Sequence, residues 1–281
     1  MIKPKLMDDA LLTDIQRARA DTGSFHLWWL GQSGFLVQWQ GEHLLLDPYL
    51  SDSLTKKYAD TDRPHVRMTR LAVKPARLNV IDVVSSSHNH TDHLDGETLT
   101  ALRRANPKMR IIVPEANRRF AAERLGVDPG ELLGCNDGAT TAVGVFHLHG
   151  VPAAHETIER DESGRCKFLG YVVRFGPWTV YHSGDTVLYD GMVERLRRYE
   201  IDVALLPING RSPDRGVPGN LWGREAARLA QDIAARLVIP CHFDMFEFNT
   251  ATPVELSAAA QKIGQPCQVL QCGERWSSSV L

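Results

Sequence analysis

Apolar positions recur at helical spacing only in short stretches of this chain; elsewhere they alternate with polar ones or form brief apolar runs. The segment Asp8 to Ala20 places Leu11, Leu12, Ile15 and Ala18 on one helical face, and Thr22 and Gly23 end it. The period then changes. "FHLWWLGQSGFLVQWQGEHLLLDPYL" reads as two or three strands broken at Gly31, Gly34 and Gly41, the mark of consecutive antiparallel pairs. Ser51 to Pro75 is polar and lacks clear periodicity. Long loops of this kind inside compact domains serve a function or are disordered, so the segment 51–75 is a candidate substrate flap.

From Val80 the pattern becomes strand, loop, helix, strand: "VIDVVSSS", a histidine-rich loop, "GETLTALRRAN" and "RIIVP". The helix "ANRRFAAERLG" and the strands "TAVGVFHLHGVPA", "FLGYVVRFG" and "WTVYHSG" follow. "VERLRRY" then leads to the strand "VALLPI", and the last predicted helix, "REAARLAQDIAA", leads to "LVIP" and "CHFDMF". No short repeat and no Pro/Gly/Ser-rich linker divides the chain, so one domain over residues 1–281 is expected. Early strands with later α/β alternation predict an α/β (α+β) fold, a four-layer αββα sandwich with helices outside two sheets.

Composition narrows the function. The 281 residues are 43% hydrophobic and 23% charged, ordinary for a globular protein, and 32 basic against 34 acidic residues give a net charge of -2. That balance argues against a nucleic-acid partner bound by electrostatics. The first residues lack the apolar run of a signal peptide, and no eighteen consecutive residues are apolar, so neither export nor a membrane span is expected. Five cysteines, at 135, 166, 241, 267 and 272, form no CxxC pair and are odd in number, which fits a reduced, cytoplasmic compartment. The expected partner is a small-molecule substrate, and self-association into a homo-oligomer is left open.

The chemistry concentrates in "VVSSSHNHTDHLDGETL", where a strand ends and α/β proteins place functional loops. His88 and His90 offer one ion two nitrogens, and Asp92 and His93 offer a second ion its own pair. A solvated capping loop is the bland alternative, but H-x-H-x-D-H is a poor match to it. Such ions need three or four protein ligands. Three further candidates follow apolar strands: His155 in "VPAAHET", Asp185 in "YHSGDT" and His242 in "LVIPCHFDMF". His155 competes with His147 and His149, which alternate with apolar residues. His26, His43, His65 and His182 lack such a setting and are read as structural.

"SSSHNHTDHLD" resembles the metal-binding motif of the metallo-β-lactamase superfamily, and Asp47 in "LLLDPYL", His155, Asp185 and His242 continue the match in order over Trp28 to about Phe246. Within it, "LWWLGQSGFLV", "VYHSGDT" and "IDVALLPI" are most similar to the L-ascorbate-6-phosphate lactonase group; N-acyl-phosphatidylethanolamine phospholipase D is a more distant likeness. The resemblance implies the αββα sandwich and hydrolysis and does not fix the substrate. It implies a first ion on His88, His90 and His155, a second on Asp92, His93 and His242, Asp185 bridging both, and Asp47 orienting a histidine from behind. The lactonase group need not keep a histidine at the position of His155, so its metal preference does not transfer directly.

Two divalent ions about 3.5–4 Å apart share a water and lower its pKa toward ~7, so a bridging hydroxide is the expected nucleophile. Asp92 or Asp185 is the candidate proton carrier. Zinc suits the histidine and carboxylate donors, with manganese or iron as alternatives. Arg211 and Arg215, in "NGRSPDRGVPGN", are candidate binders of a substrate phosphate because the planar guanidinium grips two oxygens at once. The expected activity is hydrolysis of a small lactone, phosphorylated or not. The alternatives are phosphodiester hydrolysis and a non-catalytic metal-binding protein on the same scaffold.

Overall fold

The computed structural model describes all 281 residues. One sheet is built mainly from the first half of the chain. Its strands are β1 (His26–Gly31), β2 (Gly34–Trp39), β3 (Glu42–Leu46), β4 (Val83–Ser85), β5 (Arg110–Pro114) and β6 (Leu133–Cys135). The other holds β7 (Thr140–Val143), β8 (Phe146–Pro152), β9 (Leu169–Phe175), β10 (Trp178–His182), β11 (Val203–Pro207) and β12 (Leu237–Cys241). β13 (Arg275–Ser277) returns to pair with β1, giving orders β13-β1-β2-β3-β4-β5-β6 and β12-β11-β10-β9-β8-β7.

Each sheet changes character along its width. β1 to β3 are antiparallel and joined by tight turns, whereas β3 to β6 run parallel. β7 to β10 are antiparallel and β10 to β12 parallel. Parallel neighbours need crossovers, and helices supply them. The helices are α1 (Asp8–Ala18), α2 (Ser53–Lys57), α3 (Gly96–Ala105), α4 (Arg118–Leu125), α5 (Met192–Arg197), α6 (Gly223–Asp232) and α7 (Val254–Ile263). α4 packs on β5 and against α3, while α6 packs on β11 and β12 and against α5 and α7. Helices therefore cover the outer faces and the two sheets meet in the middle, the expected αββα order.

The inner faces share one hydrophobic cluster of 68 buried residues. Phe25 and Phe175 meet edge to face across it at 5.2 Å. Two hydrogen bonds stitch the sheets near the strand ends: Tyr171 Oη donates to the Ser86 carbonyl at 2.9 Å, and His182 Nε2 to the Ser33 carbonyl at 2.9 Å. At Gly184 (φ +60°) a Cβ would lie 2.6 Å from that of Ser87, so only glycine lets the loop after β10 approach the loop after β4 this closely.

The structure corrects the element pattern in three places. α7 lies beyond the helix expected to be last; only Leu256 and Ala260 of it are buried, so its apolar stripe is faint. β6 and β13 have three residues each, too few to show a period. The segment 51–75 contains a helix, α2. No helix is long and apolar enough to cross a membrane, and all five cysteines are free, four of them buried.

Candidate metal centre

Every ligand candidate sits just past a strand. Asp47 follows β3, His88 to His93 follow β4, His155 follows β8, Asp185 follows β10 and His242 follows β12. The strand ends of both sheets open at one edge, and the seven ligand candidates converge there with Asp47 behind them. His88, His90 and His155 form one cluster, and Asp92, His93 and His242 another, with the donor atoms of each within 4.8 Å of one another. Asp185 stands between them. Its Oδ2 is 3.6 Å from His155 Nε2 and 3.3 Å from His242 Nε2, and its Oδ1 is 3.3 Å from His93 Nε2.

Asp47 also lies near His88 and His93, but its oxygens are engaged from behind. Oδ1 accepts the Ser87 N–H at 2.7 Å, and Oδ2 accepts both the Ser87 hydroxyl and His93 Nδ1–H, the latter at 2.6 Å. The Ser87 hydroxyl in turn accepts His88 Nδ1–H at 2.9 Å. Each ring is thereby held in the tautomer that turns Nε2 inward. His155 is oriented the same way, Nδ1–H donating to the Gly219 carbonyl at 2.9 Å. Such outer partners fix ring direction and raise ligand basicity.

Three residues at the site adopt left-handed backbone without being glycine: Gln32 (φ 51°), Asp47 (φ 42°) and His242 (φ 60°). Strain of this kind costs of order 1–3 kcal/mol each and concentrates at functional sites. It is upheld by the hairpin turn Gln32–Ser33, where the Gln32 carbonyl accepts the His242 N–H at 2.9 Å and Trp29 Nε1–H at 2.9 Å. Gln32 Nε2 donates to Asp92 Oδ2 at 2.8 Å and lies 3.0 Å from His242 Nε2.

The donor set fits divalent metal ions. His88 Nε2, His93 Nε2 and Asp185 Oδ1 are buried without a hydrogen-bond partner, an unusual concentration of orphaned atoms that a cation would satisfy. Electrostatics agree. Burial, with His93 and His90 beside it, pushes His88 well below the usual histidine range, keeping its lone pair free. Burial likewise lowers His90. Burial opposes the charge on Asp185, yet His242 and His93 outweigh it and hold the carboxyl well below its ordinary range; burial of Asp92 is outweighed by the same two histidines. Burial disfavours the His93 imidazolium, but Asp185 and Asp92 raise its pKa well above the usual value. Anions thus crowd a site that needs cations.

A cavity of about 460 Å³ opens over these groups, with His90, Asp92, His155, Asp185 and His242 in its floor. Neither Arg211 nor Arg215 lines it, contrary to expectation. Arg211 makes a bidentate pair with Glu225 (2.6 and 2.7 Å), and Arg215 donates to the Asn209 carbonyl, to Asn249 Oδ1 (3.2 Å) and to the Thr250 carbonyl (3.1 Å). His65, read from sequence as structural, does line it, as do Leu54, Lys57 and Tyr58 of the 51–75 segment. The other side chains that sequence missed are Arg124, Phe120, Phe246 and Phe248 in the lining, Gln32 beneath it, and Phe168, whose ring lies 4.9 Å from that of His88. His147 and His149 lie along β8 and do not line the cavity, whereas His155 does.

Known proteins share this sequence pattern and fold. Residues 42–243 match the family model described as the beta-lactamase superfamily domain. A UPF0173 metal-dependent hydrolase of Thermococcus kodakarensis is 30% identical over 250 residues, covering 87% of this chain and 96% of its own. One from Opitutus terrae is 31% identical over 253 residues, covering 88% and 97%. Among solved structures, the isothiocyanate hydrolase from Delia radicum gut bacteria superposes with a TM-score of 0.69 at 20% identity, over 89% of this chain and 98% of its own. The chain belongs to the metallo-β-lactamase superfamily and is a metal-dependent hydrolase of that fold.

Proposed function

We propose that this enzyme opens a small lactone or ester, holding two divalent ions, zinc by preference, on the two clusters with Asp185 between them. The observation that carries the reading is the cavity itself. Its floor is made of candidate ligands and its walls include Leu54, Tyr58, Phe246 and Phe248, a shape for a small molecule with an apolar part. The resemblance to the L-ascorbate-6-phosphate lactonase group supports an acyl–oxygen bond as the target.

Bound divalent ions would supply Lewis acidity toward the attacked carbonyl and an acidified water. The chain's own residues do the rest. Asp47, through His93 and Ser87, keeps the imidazoles pointed inward. Asp92, whose side chain is 17% exposed against 4% for Asp185, faces the cavity more openly and is the better carrier of a proton to the leaving oxygen. Gln32 fixes the Asp92 carboxylate by its amide.

Two measurements test this reading. Elemental analysis of protein purified without chelator should find close to two metal equivalents. A hydrolysis panel of lactones, aryl esters, phosphodiesters, thioesters, β-lactams and isothiocyanates should show its highest kcat/KM among the lactones and esters. Isothiocyanates belong in the panel because an isothiocyanate hydrolase has this fold. Turnover confined to phosphodiesters or isothiocyanates would replace the lactone, and no turnover with full metal loading would favour a non-catalytic metal-binding role.

A further inference from the structure

Arg124 is the one arginine in the cavity lining, and it has no carboxylate partner. Its Nη1 donates to the carbonyl oxygens of Asn89 (2.8 Å) and Leu94 (3.0 Å), the first of which lies between the ligand candidates His88 and His90. Nε and Nη2 donate to nothing in the chain. The guanidinium lies over the Phe120 ring, 4.5 Å from its centroid, so its plane is set from one side by the ring and from its end by the loop carbonyls. Asp95, the acid whose charge acts on Arg124, is engaged by the Ser53 hydroxyl and by the Thr98 N–H and hydroxyl. Burial pushes the Arg124 pKa down, the sign of a cation that gains from a counter-ion.

Three neighbours in the lining share this lack of partners. Lys57 forms no ion pair, although Lys56 beside it pairs with Glu97 at 3.0 Å. The side chains of Asn89 and Thr91 line the cavity and make no hydrogen bond within the protein. Two cations and two neutral polar groups therefore share one small cavity with no anion of the chain assigned to them. Elsewhere the chain pairs its arginines readily, as Arg211 with Glu225 and Arg165 with Asp161.

We infer that Arg124, with Lys57, Asn89 and Thr91, forms an anion subsite that holds the carboxylate or phosphate of an acidic substrate while its reacting bond lies over the ligand cluster. The inference rests on the reading of this cavity as the substrate site. A guanidinium offers its two free N–H edges to either anion as a fork, and the attached loop carries four of the ligand candidates, His88, His90, Asp92 and His93. Anchoring the charged end therefore fixes the scissile bond relative to the floor, which is how binding energy remote from the reaction serves orientation. The subsite also assigns the phosphate role to a different arginine from those in the 211–215 loop.

The test is equilibrium binding to the metal-loaded protein, which needs no turnover, so a failed hydrolysis panel would sink the lactonase reading without deciding this one. The probes are benzoate, phenylphosphonate and neutral benzamide, measured by calorimetry with wild type, Arg124→Lys and Arg124→Ala. Metal ions attract the anionic probes in every variant, so the difference between variants is the quantity read. Arg124→Ala should weaken one or both anions by about ten- to a hundred-fold, the scale of one charge-assisted hydrogen bond, and benzamide by less than about two-fold. The larger loss identifies carboxylate or phosphate as the preferred group. Arg124→Lys should fall between. Because removing Arg124 also frees two loop carbonyls, Lys57→Ala serves as a second variant with no hydrogen bond to lose. It should weaken the same anion by up to about five-fold, the range of an exposed charge pair. Equal losses for all three probes, or no loss in any variant, would reduce Arg124 to a tether for the metal loop and overturn the subsite.

Discussion

The floor and the roof of the cavity are built by opposite means. In the floor, each ligand candidate leaves a β-strand and the rings are aimed by hydrogen bonds from buried scaffold: His93 by Asp47, His88 by Ser87, His155 by the Gly219 carbonyl. In the roof, Tyr58, His65, Phe246 and Phe248 come from segments outside the sheets and hold one another by ring contact, Tyr58 with His65 at 4.2 Å and His65 with Phe248 at 4.5 Å. Hydrogen bonds fix direction, whereas ring contacts fix shape and give way more easily. The comparison assigns reactivity to the floor and selection to the roof.

The largest break in that comparison is at Asp185, whose oxygens approach a histidine of each cluster. Asp185→Ala should lower kcat/KM by more than about a hundred-fold, beyond the range for an outer-shell partner, and should reduce the metal content. His182 lies three positions earlier but donates to Ser33. His182→Ala should cost stability more than activity per folded molecule. Equal kinetic losses in two folded variants would remove Asp185 from the bridging role proposed for it.

Asp47 comes next. Asp47→Asn keeps a side chain that tolerates its left-handed backbone (φ 42°) but loses a full acceptor for His93 Nδ1–H and Ser87. Metal affinity or activity should drop by about ten- to a hundred-fold, the usual effect of removing such a partner. A competition titration against a chelator would measure it. An unchanged affinity would mean that ring direction is set by packing alone.

The same contrast explains what the sequence disclosed. His88, His90, Asp92 and His93 are legible because their chemistry is local, six residues on one loop after an apolar strand. His155, Asp185 and His242 are legible because each follows an apolar strand, and β8, β10 and β12 run in the same direction and so end at one edge. Arg211 misled because its partner, Glu225, lies on α6, fourteen residues on, and no local pattern records that pairing. His65 is hidden for the converse reason: its neighbours Phe246 and Phe248 approach only in the folded chain. Gln32 has a local cue in hindsight, a polar residue between Gly31 and Gly34 in a hairpin turn, yet its target, Asp92, is sixty positions away. α7 is illegible because small alanines blur a helical stripe, and β6 and β13 because three residues cannot show a period.

Charge in the floor also predicts a pH dependence. Despite burial, Asp185 and Asp92 hold the His93 pKa well above the ordinary histidine value, so the metal-free protein carries a proton there near neutrality. A metal ion needs the Nε2 lone pair and must displace that proton. Affinity should therefore rise with pH up to the His93 pKa, by about ten-fold per unit for one linked proton, and level off above it. Calorimetry of zinc binding in two buffers of different ionisation enthalpy should show net proton release at pH 7. Proton uptake, or no exchange, would mean that His93 is already neutral in the metal-free site.

The smallest expected effect lies in the roof, and it is the one that most sharpens the division. Phe248 is half-buried and its ring meets His65 and Phe246, at 4.5 and 6.4 Å between centroids. An aromatic contact is worth about 0.5–1.5 kcal/mol beyond area burial, or roughly two- to ten-fold in affinity. Phe248→Ala should therefore raise KM by that factor for esters with an aromatic or branched acyl group and leave the smallest lactones nearly unaffected. Metal content and kcat should stay at the wild-type level, because His65 keeps its stack on Tyr58 and the floor keeps every hydrogen bond that aims its rings. A fall in kcat with unchanged KM would show that the roof shapes the reacting geometry as well as the choice of substrate, and the line between floor and roof would have to be redrawn to include these rings.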